Sequence, residues 1–190
     1  MPKELWEMTL EELWELFPII LTNPNPAWSE WYEQARAQLS AILTGFEHMR
    51  VSHIGSTAIR GIWAKPIVDI LVELPKEADM QEVSEVFTGS GWICMSRGEG
   101  RMSFNRGYTK FGFAEKVYHL HLRYRGDCDE LYFRDYLNDH PEYAAEYEKL
   151  KLSIWKAYEH DRDGYTAAKT EFVQTVMEAA KTAYPGRYDA

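Results

Sequence analysis

The clearest alternation of apolar and polar side chains runs from Lys65 to Leu74, with Val68, Ile70, Val72 and Leu74 on one side and Ile67, Asp69, Leu71 and Glu73 on the other. A period of two over that length predicts a strand. Val117 to Arg125 repeats the pattern, setting Tyr118, Leu120, Leu122 and Tyr124 against Val117, His119, His121, Arg123 and Arg125. Met49–Ile54 reads as a shorter strand running into a Gly55-Ser56-Thr57 turn. Trp92–Arg97 and Arg101–Arg106 flank Gly98-Glu99-Gly100 as a hairpin. Elsewhere the period is helical. A capping box at Thr9-Leu10-Glu11-Glu12 opens a helix carrying Leu13, Trp14, Phe17, Ile20 and Leu21, which Pro24 and Pro26 break. Asn25 caps the next, with Trp28, Trp31, Tyr32, Ala35, Leu39, Ile42 and Leu43 on one face and Gly45 at its end. Met80, Val83, Val86 and Phe87 mark a third, stopped by Gly89-Ser90-Gly91. The last third is helical: Asp129–Asn138, then a helix opened by Pro141 that carries Tyr143, Tyr147, Leu150, Ile154 and Tyr158, then Tyr165–Tyr184 after a break at Asp161–Gly164.

These elements describe an α/β (α+β) domain with a mixed sheet of four or five strands, flanking helices and a helical C-terminal extension. With 190 residues and no linker or repeat, the chain is expected to form one domain over 1–190: N-terminal helices in 1–47, a sheet core in 48–125 and C-terminal helices in 126–190. The aromatic share of 14%, with seven Trp and twelve Tyr, points to bulky packing faces, and Trp6, Trp14, Trp28 and Trp31 offer a homodimer contact. Cys94 and Cys128 have neither disulfide-framework nor zinc spacing. The N-terminus lacks a signal peptide's pattern and no apolar run is long enough for a membrane span, so a cytoplasmic protein without membrane contact is expected.

A net charge of −9 argues against general nucleic-acid binding. Its distribution changes that picture locally. Between 95 and 125, Arg97, Arg101, Arg106, Lys110, Lys116, Arg123 and Arg125 face only Glu99 and Glu115, an island of +5. Such an island suits a small phosphorylated ligand better than a polymer; the alternative is neutralisation of the acidic helices that follow.

The segment richest in chemistry is Ser52-His53-Ile54-Gly55-Ser56-Thr57 followed by Ala64-Lys65-Pro66-Ile67-Val68-Asp69-Ile70. A Gly-Ser turn after a strand lets backbone amides and a hydroxyl approach a phosphate. An aspartate among apolar strand residues is costly unless it meets a cation, a donor or water. His119 and His121, two apart on a strand, share a face and can join Asp69. His-x-His with an aspartate suits zinc, manganese, iron or nickel better than magnesium by donor type. The bland reading of each histidine is a hydrogen-bonded or stacked side chain. Lys65 and Arg123 are anion candidates, and Tyr165 and Lys169 pair at i and i+4.

His53-Ile54-Gly55-Ser56-Thr57-Ala58 with Ala64–Ile70 resembles the signature of the GrpB family, as do Tyr118–Leu122, Tyr132–Leu137 and Tyr165–Lys169. The resemblance implies a nucleotidyltransferase-like fold, in which a helix N-terminus and strand carboxylates meet a triphosphate and metal, and leaves the substrate open. Ile54-Gly55-Ser56 and Asp69-Ile70 match the wider pattern, but its second carboxylate falls on Leu71. Glu73, about 13 Å from Asp69 by strand rise, is too far to replace it. The expected site is therefore Asp69, His119 and His121 as catalytic and metal-binding residues, holding one divalent ion, Mg2+ or Mn2+ ahead of Zn2+. His53, Gly55, Ser56, Thr57, Lys65, Arg123, Tyr165 and Lys169 would contact a nucleotide or other phosphorylated small molecule. Nucleotidyl transfer, a non-catalytic ligand-binding module, and a His-x-His metal-dependent hydrolase or phosphotransferase are the three functions to separate.

Overall fold

A computed structural model describes residues 3–188, so the first two and last two residues of the expected domain lie outside it. Five strands form one mixed sheet in the order β1-β2-β5-β4-β3: β1 (Arg50–Ile54), β2 (Ile67–Leu74), β3 (Ile93–Gly98), β4 (Arg101–Thr109) and β5 (Gly112–Tyr124). β2 and β5 run parallel at the centre and the other pairings are antiparallel. The register sets Asp69 opposite His119 and Leu71 opposite His121, with Ile54 across from Asp69 on the other side.

The period-two pattern sorts the two layers. Val68, Ile70, Val72, Leu120 and Leu122 are buried against α2 (Ala27–Ile42) and α3 (Met80–Gly89). Ile54 and Leu71, on the opposite face, are covered by a second apolar cluster from α4 (Asp129–Asp139), α5 (Pro141–Ile154) and α7 (Thr170–Ala183). That cover stops short of Ile67, Asp69 and His119, which leaves a cleft over the open part of the face.

Three sequence expectations are corrected. The first helix, α1, spans only Leu10–Leu16; the Thr9 capping box is present, but Pro18 disfavours helical backbone at Phe17, and Ile20 and Leu21 fall in an extended segment that pairs at Thr22 with Ala64. The final helix is two: α6 (Arg162–Ala167), capped by Asp161 accepting from the Gly164 amide, and α7. β5 also begins five residues earlier than its alternation suggests. The ladder with β4 slips there: Arg106 faces Tyr118, yet Tyr108 faces Phe113. Gly107 sits at the slip with φ +91°, and a Cβ on it would lie 2.3 Å from the Lys116 carbonyl oxygen, so only glycine fits. Strict alternation after Asn105 would send Tyr108 to the α3 side; the irregularity brings it to the face of His119 instead.

Candidate functional site

Asp69 occupies the middle of the cleft, its side chain 25% exposed. Gly55 makes its position possible: at φ +71°, the turn passes so close that a Cβ there would lie 2.3 Å from Asp69 Oδ2. The carboxylate's other oxygen, Oδ1, is 3.2 Å from His119 Nδ1 and 3.8 Å from His121 Nε2, the second being an ion-pair rather than a hydrogen-bond distance. Burial alone would raise the pKa of Asp69, but its contacts with the two histidines outweigh that and hold the carboxyl well below the usual carboxylate range. Burial lowers the pKa of His119 in spite of Asp69. With Nδ1 turned toward Asp69, the ring accepts at Nε2 from the Tyr108 hydroxyl, 2.7 Å away. Arg162 in turn donates to that hydroxyl at 3.3 Å.

Around this chain lie Ser56, Lys65, Lys151, Tyr165 and Lys169, with Leu21 and Ile67. Among the described residues, none of the three lysines has a carboxylate within 4 Å. Lys151, on α5, donates to the Trp63 carbonyl and stands over the Tyr147 ring at 4.7 Å. Lys169 lies over the Tyr165 ring at 4.1 Å and Lys65 at 5.9 Å from it. Burial, then repulsion from neighbouring lysines, pulls Lys151 down to about 7 and Lys169 to about 8; burial and the Arg162 guanidinium lower Lys65 as well. Among the described residues, the buried Tyr165 hydroxyl has no partner.

The structure thus brings together Gly55, Ser56, Lys65, Asp69, His119, His121, Tyr165 and Lys169. It does not bring the others. His53 lies on the opposite face of the sheet, opposite Ile70, where its ring stacks on Tyr32 at 4.7 Å and its Nε2 is 3.0 Å from the Thr57 hydroxyl. Thr57 is buried and donates to the Ile67 carbonyl, which makes it a support of the turn. Arg123 is taken by Asp127 and Glu130. The rest of the basic island is dispersed too: Arg101 on Asp127, Arg106 on the Trp92 ring, Lys110 on Glu4. Of the four tryptophans considered for a dimer contact, Trp28 is core and Trp6 is 82% exposed.

Lys151, Tyr108 and Arg162 were not among the expected site residues. A signal for the first existed: Tyr147-x-x-x-Lys151 repeats the Tyr165-x-x-x-Lys169 spacing on another helix. It was hidden because Lys151 also falls within an apolar stripe.

The donor set fits a resident divalent cation poorly. Both ring nitrogens of His119 are engaged, Leu71 is fully buried in apolar packing, and Glu73 is paired with Arg50 through 2.5 Å and 2.6 Å hydrogen bonds. Among the described residues, no group of three or more His, Cys, Asp or Glu is arranged to hold a metal. Three lysines beside one carboxylate make the cleft attractive to anions.

The fold, a mixed sheet with a glycine-serine turn beside a carboxylate-bearing strand, is nucleotidyltransferase-like by its likeness to solved structures. The solved structure of Cid1 poly(U) polymerase bound to MgATP superposes with a TM-score of 0.51 over 76% of this chain and 45% of that one, at 10% identity, a likeness of fold alone. A structure of the conserved protein GrpB from Enterococcus faecalis matches with a TM-score of 0.73 and 28% identity, covering 87% of this chain and 99% of that one. The family model for GrpB protein matches residues 18–179, and the chain belongs to the GrpB family. Among curated relatives, the glutamate-rich protein GrpB of Alkalihalophilus pseudofirmus is 33% identical over 84% of this chain and 94% of its own length. The chain spans 48% of a longer relative from Bacillus subtilis. No helix among the described residues is long and apolar enough to cross a membrane.

Proposed function

We propose that the cleft binds the phosphate groups of a nucleotide or a similar phosphorylated small molecule. The observation that carries this reading is the convergence of Lys65, Lys151 and Lys169 on one space in which, among the described residues, Asp69 is the only carboxylate. Their depressed pKa values mean that the free protein holds positive charge at a cost, which a polyanion relieves. The Ser56 and Tyr165 hydroxyls supply donors between the ammonium groups. Asp69 would then face the ligand's polar end and, by repulsion, keep phosphate on the lysine side.

Calorimetric titration of the protein with pyrophosphate and with ATP at low salt, with and without Mg2+, tests the reading. Expected are one saturable site, affinity that falls as salt is raised, and at least tenfold weakening in Lys169→Met. No heat with either ligand at low salt overturns it. Nucleotidyl transfer is a second reading, favoured by the place of Asp69, a strand carboxylate set directly against the Gly55 turn and beside the lysine cleft. Its readout is pyrophosphate released from ATP in the presence of an acceptor. With Leu71 at the second carboxylate position, any such activity would lean on metal brought in with the nucleotide.

A further inference from the structure

A second cavity, of about 60 Å³, opens on the other side of Lys65. Its walls are apolar, with Ile19, Ile67, Phe113 and Val117 lining it, and two cations, Lys65 and Arg162, border it. Neither cation has a carboxylate within 4 Å among the described residues. Arg162 makes one hydrogen bond, to Tyr108, while its Nε is buried with no acceptor. Glu115 stands at the exposed rim. We propose that this cavity is a subsite for a short aliphatic monocarboxylate, with its chain between the apolar walls and its carboxylate on Arg162 and Lys65.

Size and charge select that class together. A cavity of about 150 Å³ accommodates benzene, which is roughly 25 Å³ per carbon, so 60 Å³ takes an alkyl chain of about two or three carbons, with the carboxylate beyond it at the bordering cations. A phosphate would lose its hydration against apolar walls and find few donors there. A neutral hydrocarbon would leave the guanidinium Nε–H unpaired, whereas a carboxylate accepts from a guanidinium in its preferred side-by-side geometry. Glu115 at the rim disfavours a second carboxylate on the same ligand. The subsite shares Lys65 with the phosphate cleft, placing a carboxylate next to a phosphate-bearing ligand, yet it needs no phosphate to be occupied.

Titration of the full chain with butyrate, 1-butanol and acetate, followed by calorimetry, tests this. Butyrate should bind saturably at one site. Butanol, lacking the charge, should bind at least tenfold more weakly, and acetate, lacking two methylenes, about tenfold more weakly. Ala114→Phe adds a ring to an exposed position lining the cavity. It should weaken butyrate at least tenfold and leave pyrophosphate within twofold, which separates this subsite from the phosphate reading. Arg162→Met should also weaken butyrate at least tenfold. If that variant melts far below the parent, Ala114→Phe alone decides. Butyrate binding no tighter than butanol, heats that never saturate, or affinity unchanged in Ala114→Phe overturns the proposal.

Discussion

Replacing Gly55 by alanine puts two separable strains on the cleft. The backbone there, at φ +71° and ψ −173°, lies in a region essentially confined to glycine, and forcing alanine into it costs about 1–3 kcal/mol. The new methyl would also lie 2.3 Å from Asp69 Oδ2 and 2.9 Å from its Cγ. Asp69 is anchored on a central strand, so relief comes by turning its carboxylate off His119, and losing that charge-assisted bond costs about 1.5–3 kcal/mol. Together the change should destabilise the protein by about 3–5 kcal/mol. At about 2–4 °C per kcal/mol for a chain of this size, the melting temperature should fall by about 6–20 °C. Calorimetric melting of wild type, Gly55→Ala, Asp69→Ala and the double variant checks both parts. With Asp69 shortened the clash with its carboxylate is gone, leaving the backbone strain and a 3.0 Å approach to the Cβ at 69, so the double variant should be about 1.5–3 kcal/mol more stable than additivity gives. A melting temperature within about 2 °C of wild type, or strict additivity, refutes the account of why glycine stands here.

Glu73 is fully buried on Arg50, so Arg50→Met should cost roughly 3–5 kcal/mol in urea unfolding, most of it recovered by adding Glu73→Leu; a loss below about 1 kcal/mol refutes a buried pair. Tyr108→Phe removes the donor to His119 Nε2, which favours the neutral ring, so the His119 pKa followed by NMR should rise; an unmoved or lower value removes Tyr108 from the chain. Lys151 near 7 and Lys169 near 8 remain charged in the unfolded chain up to about 10.5. Folding therefore releases protons between these limits, and the lysines' contribution to stability should rise with pH from about 7 toward 10. Chemical denaturation at pH 7 and 9 should show a flatter slope in Lys151→Met than in wild type. Pyrophosphate affinity should run the other way, weakening from pH 6.5 to 9 as the ammonium groups lose their protons; a flat profile speaks against their role.

The part of the site carried by regular strands was legible in the sequence. Period two alone puts Asp69 on one face of β2 and His119 with His121 on one face of β5, and the register makes the two faces one. What escaped depended on tertiary partners or on breaks in the period. Arg123 shares the histidine face but is claimed by Asp127 and Glu130, which arrive from the following turn and helix. His53 is next to the Gly-Ser turn in sequence, yet alternation puts it on the Tyr32 side of the sheet. Lys151 lies in an apolar stripe, and nothing local shows that α5 presents it to a cleft formed with α6 and the turn after β1. The basic run between 95 and 125 shows the limit of counting charge by segment. A hairpin throws successive residues to opposite faces, so a linear island becomes separate surface contacts.

The slip at Gly107 has a consequence for anyone aligning this chain with its relatives. It acts as a phase marker in β4: before it, odd-numbered residues such as Asn105 face the cleft, and after it the parity is reversed, so that Tyr108 does. A relative with a regular ladder here would present to the His119 position the residue aligned with Gly107, and its tyrosine, if retained one place on, would belong to the other layer. An alignment column alone therefore does not say which side chain closes the hydrogen-bond chain from Asp69. The number of residues between the Asn105 position and the next turn does, and a single inserted or deleted residue there rewires the site without touching any of its named members.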